Sequence, residues 1–255
     1  MIFDTHAHYD DDAFDEDREE IIREITENGV KNILNCAASM DGVYKSIELA
    51  KKYDCFYAAV GIHPEHADQL DKDNLEIIRN LAKESKVLAI GEIGLDYYWE
   101  ENPPREVQQK ALRDQMKLAE ELDLPVIIHD REAHEDTLKI LKEFPRVKGV
   151  VHAYSGSVEM ARQCVKLGYY LGIGGVLTFK NARKLVEVVE EIPLEHLVVE
   201  TDAPYMTPVP YRGERNRSDY ISYVIKKIAE IKNIEEETVN KRLISNSYDL
   251  LKIGK

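Results

Sequence analysis

The sequence has few cysteines, a deficit of basic charge and no long apolar run. Its three cysteines, Cys36, Cys55 and Cys164, are odd in number and widely spaced, without a C-x-x-C pair. This argues against a disulfide framework or a structural zinc ribbon and favours small core residues. The first residues lack a basic segment followed by a long apolar stretch, so neither a signal peptide nor a membrane span is expected. We therefore expect a cytoplasmic protein with no membrane partner.

Basic side chains are outnumbered in this chain. The 34 Lys and Arg residues stand against 48 Asp and Glu residues, which gives a formal net charge of -14. A protein that binds nucleic acid over a broad basic surface has the opposite balance. Any polyanionic substrate must therefore be held locally, and bound divalent cations would supply the positive charge. No G-x-G-x-x-G follows the first strand and no Walker glycine-lysine loop occurs, so no nucleotide cofactor is expected.

The length and the pattern of apolar residues predict an α/β fold. The 255 residues are close to the ~250 typical of a (β/α)₈ barrel. Short apolar runs alternate with longer amphipathic segments such as 15–28 and 103–122, which is typical of βα units with a parallel sheet. The runs are 2–4, 32–35, 56–60, 87–91, 125–129, 149–152, 169–173 and 197–200. We predict a single TIM-barrel domain over residues 1–255, with an extra C-terminal helix at 235–253.

Histidines and carboxylates collect at the ends of the predicted strands. In Asp4-Thr5-His6-Ala7-His8 the two-residue period of a strand places both imidazoles on one face. Ligand-type residues also end later runs, namely His63, Glu92, His129, His152 and Asp202. The carboxyl ends of barrel strands meet at the face where such folds have their active sites. We therefore predict a metal site at that face.

Glu92 is the predicted centre of this site. Gly91 and Gly94 flank it and allow close approach of the backbone, and its carboxylate can bridge two cations. No basic residue occupies the predicted strand ends, which disfavours a structural ion pair as the role of Glu92. Nitrogen and oxygen ligands without thiolate suit Zn²⁺, Mn²⁺, Fe²⁺ or Co²⁺ and, less naturally, Mg²⁺, and such ions activate water for hydrolysis.

Taken together, the motifs resemble those of one family, the TatD metal-dependent deoxyribonucleases among the amidohydrolase-like barrels. The likeness covers nearly the whole chain. It runs through Phe3-Asp4-Thr5-His6-Ala7-His8, Gly61-Ile62-His63-Pro64, Gly91-Glu92-Ile93-Gly94-Leu95-Asp96-Tyr97, His129, His152-Ala153-Tyr154-Ser155-Gly156, Glu200-Thr201-Asp202-Ala203-Pro204-Tyr205 and Arg212-Gly213-Glu214-Arg215-Asn216.

The resemblance implies a ligand set and an activity. Two divalent metal ions (Zn, Mn or Mg) would be held, one by His6, His8, Glu92 and Asp202 and the other by Glu92, His129 and His152. Asp202 and Glu92 would be catalytic, with Asp202 orienting a water activated by the two metals, and His63 and Arg215 would contact phosphate. The implied function is hydrolysis of DNA phosphodiester bonds, as a 3′–5′ exonuclease on single-stranded or frayed ends, with the DNA held locally at the metal site.

Two other functions fit the same residues. A metal-dependent amidohydrolase or phosphoesterase of a small molecule would use the same metals with different loops. A catalytically inactive scaffold would have lost at least one ligand, and none is lost here. The sequence predicts no oligomeric state.

Overall fold

The computed structural model describes residues 1–254 and contains one sheet of eight parallel strands. Each strand pairs with its neighbours in chain order, which is the pairing expected when every connection is a right-handed βα crossover. The strands are β1 (Ile2–Ala7), β2 (Val30–Cys36), β3 (Phe56–Val60), β4 (Val87–Asp96), β5 (Val126–Arg131), β6 (Gly149–Val151), β7 (Tyr169–Ile173) and β8 (Leu197–Val199).

The sheet curls until its first strand meets the segment after its last strand. The backbone N–H of Asp202 donates to the carbonyl of His6 at 2.9 Å, and that of His8 donates to the carbonyl of Ala203 at 2.7 Å. These bonds join the two ends of the sheet into a nearly closed barrel. The predicted (β/α)₈ fold is therefore confirmed.

A helix follows each strand and packs on the outside of the barrel. The helices are α1 (Arg18–Glu27), α2 (Met40–Lys52), α3 (Lys72–Leu81), α4 (Arg105–Leu122), α5 (His134–Glu143), α6 (Val158–Lys166), α7 (Arg183–Glu191), α8 (Ile221–Lys232) and α9 (Glu236–Leu250). Their apolar faces bury against the strands, as Leu112, Met116 and Ala119 of α4 do. Among residues 1–254, no helix has the length and apolar character needed to cross a membrane.

The interior of the barrel has its own apolar cluster. Most strands contribute one or two side chains to it, among them Phe3, Leu34 and Ile127. Leu250 and Leu251, at the end of α9, join this cluster, and the Tyr248 ring meets the Phe3 ring edge-on at 5.6 Å. The predicted C-terminal helix therefore closes one end of the barrel, at the start of β1, and leaves the carboxyl ends of the strands open.

Among the strands that run further than their apolar patterns predict, β4 and β5 shape the site. β4 continues to Asp96 and β5 to Arg131, whereas the sequence predicted ends at 91 and 129. The two strands pair beyond those points, with His129 opposite Gly94 and Arg131 opposite Asp96. The predicted ends were wrong because polar side chains that face a cleft do not interrupt backbone pairing. Glu92 and His129 therefore lie within strands, and a basic residue does end β5.

Candidate metal centre

The residues predicted as metal ligands lie together at the carboxyl end of the barrel. His6 lies in β1, Glu92 in β4 and His129 in β5, while His8, His152 and Asp202 follow β1, β6 and β8. Strand pairing holds the backbone of His6, Glu92 and His129. The backbone N–H groups of His8, His152 and Asp202 donate to carbonyls of neighbouring segments. Side chains that are distant in sequence therefore meet with little freedom of position.

Four side chains form a first cluster. Nε2 of His6 lies 3.0 Å from Nε2 of His8, 3.2 Å from Oε2 of Glu92 and 3.5 Å from Oδ1 of Asp202. Nε2 of His8 lies 3.5 Å from the same Glu92 oxygen and 3.3 Å from the same Asp202 oxygen. With bonds of about 2.1 Å, neighbouring ligands of a tetrahedral or octahedral ion lie about 3.0–3.4 Å apart. The spacing of these atoms therefore fits one divalent ion.

A second cluster surrounds the other oxygen of Glu92. Oε1 lies 2.8 Å from Nδ1 of His129 and 2.7 Å from Nε2 of His152, and those two nitrogens are 3.2 Å apart. Nε2 of His63 lies 3.5 Å from Oε1 as well. His63, Glu92 and His129 form a group that could hold a metal ion, so His63 reaches this cluster besides its predicted place near the substrate.

Glu92 faces a different cluster with each oxygen. Its side chain is 4% exposed, and burial alone would raise the pKa of its carboxyl group. The nearby imidazoles of His152, His6 and His63 outweigh that effect and hold the pKa of Glu92 well below its usual range. The buried group is therefore a carboxylate placed between two sets of donors, as a shared ligand of two cations requires.

Neighbouring groups fix which ring nitrogen two of the histidines, His8 and His129, present to the clusters. Nδ1 of His8 lies 2.7 Å from the carbonyl of Cys36 and donates to it, which leaves Nε2 for the first cluster. Nε2 of His129 lies 3.1 Å from Oδ2 of Asp96, which leaves Nδ1 for the second. Carboxylates and carbonyls behind metal-binding histidines have this orienting effect in known metal sites. The tautomers match the two clusters.

Asp202 has an unusual backbone conformation and an ionised side chain. Its φ is +58°, a left-handed conformation that aspartate tolerates better than most residues. Burial raises the pKa of its carboxyl group, but the hydrogen bond with His8 and the charge of His6 outweigh this and keep the pKa below 3.8. The same contact, against the cost of burial, raises the pKa of His8 to about 9. The carboxylate is 13% exposed and lines the cleft.

The two predicted substrate contacts lie in different places. His63 lines the cleft, and burial together with the neighbouring His129 lowers its pKa to about 3, which favours the neutral imidazole. Arg215 is not among the residues that line the cleft. One of its nitrogens lies 2.6 Å from Asp17, another bonds the carbonyl of Ala13, and its guanidinium covers the Phe14 ring at 4.7 Å.

The cleft contains residues that the sequence reasoning missed. Its volume is about 510 Å³, and it is lined by His8, Asp10, Asp11, Ala38, His63, Glu65, Glu92, Asp96, Trp99, His129, Arg131, His152, Asp202, Tyr205 and Met206. Carboxylates dominate this lining, and among residues 1–254 Arg131 is its only Lys or Arg. The two-residue period of a strand, which pairs His6 with His8, also places Arg131 on the same face as His129. The sequence prediction ended this strand at residue 129 and therefore did not include Arg131.

Comparisons with known proteins show which family this chain belongs to. The family model described as "TatD related DNase" matches residues 3–252. The metal-dependent hydrolase YabD of Bacillus subtilis is 42% identical over 256 residues, covering 100% of both chains. The TatD homologue YjjV of Escherichia coli has a crystal structure that superposes with a TM-score of 0.93 at 35% identity, over 99% of this chain and 98% of that one.

A more distant solved structure has the same architecture. The TatD-family hydrolase of Entamoeba histolytica superposes with a TM-score of 0.89 at 26% identity and covers 98% of each chain. The fold, the converging ligand atoms and the match over nearly the whole sequence agree with one another. The chain belongs to the TatD family of metal-dependent hydrolases.

Proposed function

We propose that this hydrolase cleaves phosphodiester bonds of DNA with two divalent metal ions, Zn, Mn or Mg. The position of Glu92 between two clusters of ligand atoms carries the proposal. Two cations held there would act as Lewis acids and lower the pKa of water, the chemistry that phosphodiester hydrolysis requires. The description of the matching family as a DNase supports the choice of bond.

The protein's own groups then have distinct tasks. His6, His8 and Asp202 would hold one metal ion, and His129 and His152 would hold the other, with Glu92 shared. In this proposal Asp202 orients the attacking water and takes its proton. Its ionised carboxylate, its position in the cleft and its distance of 3.3 Å from Nε2 of His8 support that role. His63 is the neutral imidazole beside the second cluster and can donate a hydrogen bond to phosphate.

The charge and size of the cleft favour the end of a single strand. The protein has a formal charge of -14 and would repel the phosphates of long duplex DNA outside the cleft. A cleft of about 510 Å³ lies within the range of about 300–1,000 Å³ found for small-ligand pockets. It therefore suits a chain end, and with the direction that the family resemblance implies, the proposal is a 3′–5′ exonuclease acting on single-stranded or frayed ends.

Cleavage of a 5′-labelled single-stranded oligonucleotide tests this function. Metal-stripped protein is given Mg²⁺, Mn²⁺ or Zn²⁺ singly, with Glu92→Ala alongside. Stepwise shortening that needs both metal and Glu92 is expected, whereas immediate release of the labelled nucleotide would indicate the opposite direction. If no metal supports cleavage, the substrate is a small ester, amide or phosphoester instead.

A further inference from the structure

Arg131 is a cation at the edge of the metal cleft that forms no ion pair with a carboxylate of residues 1–254. It ends β5, two residues after His129, and is partly buried. The structure of residues 1–254 shows neither a hydrogen bond nor an ion pair to its guanidinium. Its contacts are aromatic, since the guanidinium carbon lies 4.0 Å from the Tyr98 ring centroid and 5.2 Å from that of Trp99.

Such an arginine is unusual in this chain. Acidic residues are in excess, and the other partly buried arginines of residues 1–254 form ion pairs with them, as Arg113 does with Glu143 at 2.7 Å and Arg79 does with Glu121 at 2.6 Å. A partly buried guanidinium that stays unpaired has lost hydration without gaining a hydrogen bond. An anion that enters the cleft would compensate for the lost hydration by accepting hydrogen bonds from the guanidinium.

The stacking on Tyr98 leaves Arg131 able to bind a phosphate. The ring covers one face of the guanidinium, while the N–H groups lie around its edge, where they match two oxygens of a phosphate. Stacking also restricts the side chain before the anion arrives, so less entropy is lost on binding. The surrounding carboxylates, Asp96 among them, would reject any other anion that brings no compensating contacts.

Arg131 lies beyond both clusters of ligand atoms. It makes no ion pair with Glu92, Asp96 or Asp202. Against the effect of burial, the hydrogen bond with His129 and the charge of Arg131 nonetheless lower the pKa of Asp96. The scissile phosphate would meet the cations, so the group left for Arg131 is a neighbouring phosphate of the same strand. Strand rise separates the Cα atoms of His129 and Arg131 by about 6.6 Å. The long, flexible arginine side chain can vary the distance between its guanidinium and the metal site around this value.

We propose that Arg131, held against Tyr98, binds the phosphate that flanks the scissile bond and so selects a nucleic acid strand over a single small ester. This inference rests on the proposed function, because it takes DNA as the substrate. It gives Arg131 a phosphate contact in addition to the phosphate contact that the sequence resemblance implied for Arg215. Arg131 is a positioning residue here, since the reacting atoms lie at the metals.

Steady-state kinetics on Arg131→Gln test the proposal. With a 5′-labelled single-stranded oligonucleotide, KM should rise about tenfold or more, as expected for a lost charged hydrogen bond, and kcat should change much less. The slope of log KM against log salt should fall by about 0.7, the value for one phosphate contact on single-stranded DNA. Arg131→Lys should retain the salt slope because it retains the charge.

The chain supplies a matched control in Arg105. This exposed arginine stacks on Tyr97 at 4.3 Å but does not line the cleft, so Arg105→Gln should leave KM and the salt slope at wild-type values. The single-phosphate diester bis(p-nitrophenyl) phosphate provides a second comparison. Arg131→Gln should lose more with the oligonucleotide than with this diester, and metal content should equal that of the wild type.

The outcomes separate this inference from the proposed function. Wild-type cleavage of the oligonucleotide with unchanged KM and salt slope in Arg131→Gln would overturn the role of Arg131 and leave DNA hydrolysis standing. Equal losses with both substrates would place Arg131 at the scissile phosphate and overturn the flanking contact. A wild-type protein that hydrolyses the diester but neither binds nor cleaves the oligonucleotide would overturn both proposals.

Discussion

Nε2 of His129 lies 3.1 Å from Oδ2 of Asp96, and this contact turns the opposite nitrogen of the imidazole toward Glu92. Both residues lie on neighbouring strands, near the ends of β4 and β5. Asp96 is 2% exposed and also accepts a hydrogen bond from the backbone of Tyr98 at 2.9 Å. The orientation of His129 is therefore fixed by groups that do not themselves belong to either ligand cluster.

Asp96→Asn should weaken the metal site that includes His129. An amide is a poorer hydrogen-bond acceptor and carries no charge, and loss of such a partner typically costs about 10–100-fold in metal affinity. Competition with a chelator measures this affinity directly. The control is Asp136→Asn. The Asp136 carboxylate lies outside the cleft and accepts a hydrogen bond from the Tyr97 hydroxyl at 3.0 Å. Equal metal affinities in the two variants would contradict the orienting role of Asp96.

Gly94→Ala should damage both stability and metal binding. A Cβ at Gly94 would collide with the backbone carbonyl of His129, so β4 and β5 would have to separate at the metal site. We expect a loss of more than about 2 kcal/mol in the free energy of unfolding together with weaker metal binding. Gly29→Ala is the matched control, because Gly29 also has a positive φ, +96°, but no atom within 4 Å of the added carbon.

These two glycine variants give different readouts. Gly29→Ala should cost about 1 kcal/mol through backbone strain alone and leave metal affinity unchanged. Urea denaturation and chelator competition measure the two quantities separately. Normal metal affinity in a folded Gly94→Ala protein would show that the close approach to His129 is unimportant for the site.

His134 should stabilise the protein more at low pH than at high pH. Nδ1 of His134 lies 2.8 Å from Oδ2 of Asp130, and this hydrogen bond raises the pKa of the imidazole above 6.5. A raised pKa means that the stabilisation is complete below pH 6.5 and is lost as the pH rises through the higher folded-state value. The side chain is 39% exposed, so solvent screening limits the effect to less than about 1 kcal/mol.

Urea denaturation of metal-free wild type and His134→Ala at pH 6 and pH 9 checks this sign. The wild type should exceed the variant in unfolding free energy by more at pH 6 than at pH 9. Other histidines titrate in both proteins, so their contributions cancel in the difference. A difference that is larger at pH 9 would contradict the contact with Asp130.

Leu243→Ala should destabilise the whole barrel. Leu243 lies on α9 and is fully buried, so its truncation leaves a cavity and should cost about 2–5 kcal/mol in the free energy of unfolding. Lys241→Ala on the same helix removes a side chain that is 72% exposed and should cost less than about 0.5 kcal/mol. Thermal and urea unfolding measure both, and equal effects would mean that α9 does not share the core.

The sequence could predict that the candidate ligands converge at one end of the barrel. The spacing of His6 and His8 follows directly from strand periodicity, and the other ligands follow apolar runs whose type is easily recognised. The register of neighbouring strands has no such local signal. Pairing between β4 and β5 extends both strands beyond their apolar runs. This extension brings Asp96 and Arg131 into the strands.

The surroundings of Arg215 and Arg131 could not be predicted from the sequence for the same reason. Arg215 lies in a motif shared with the family, yet its guanidinium contacts Asp17 and Phe14, residues nearly 200 positions earlier in the chain. The position of Arg131 beside the cleft depends on stacking against Tyr98, on the loop after a different strand. Such contacts between distant segments exist only once the barrel has closed.

Metal stoichiometry in Glu92→Gln tests the central claim most directly. Metal-stripped wild type and variant are dialysed against Mn²⁺ or Zn²⁺ and the bound metal per chain is measured, with circular dichroism to confirm folding. The shared position of Glu92 predicts two ions per wild-type chain and substantially fewer in the variant, because both clusters lose an ionised ligand. Two ions per chain retained in Glu92→Gln, or none bound by the wild type, would contradict it.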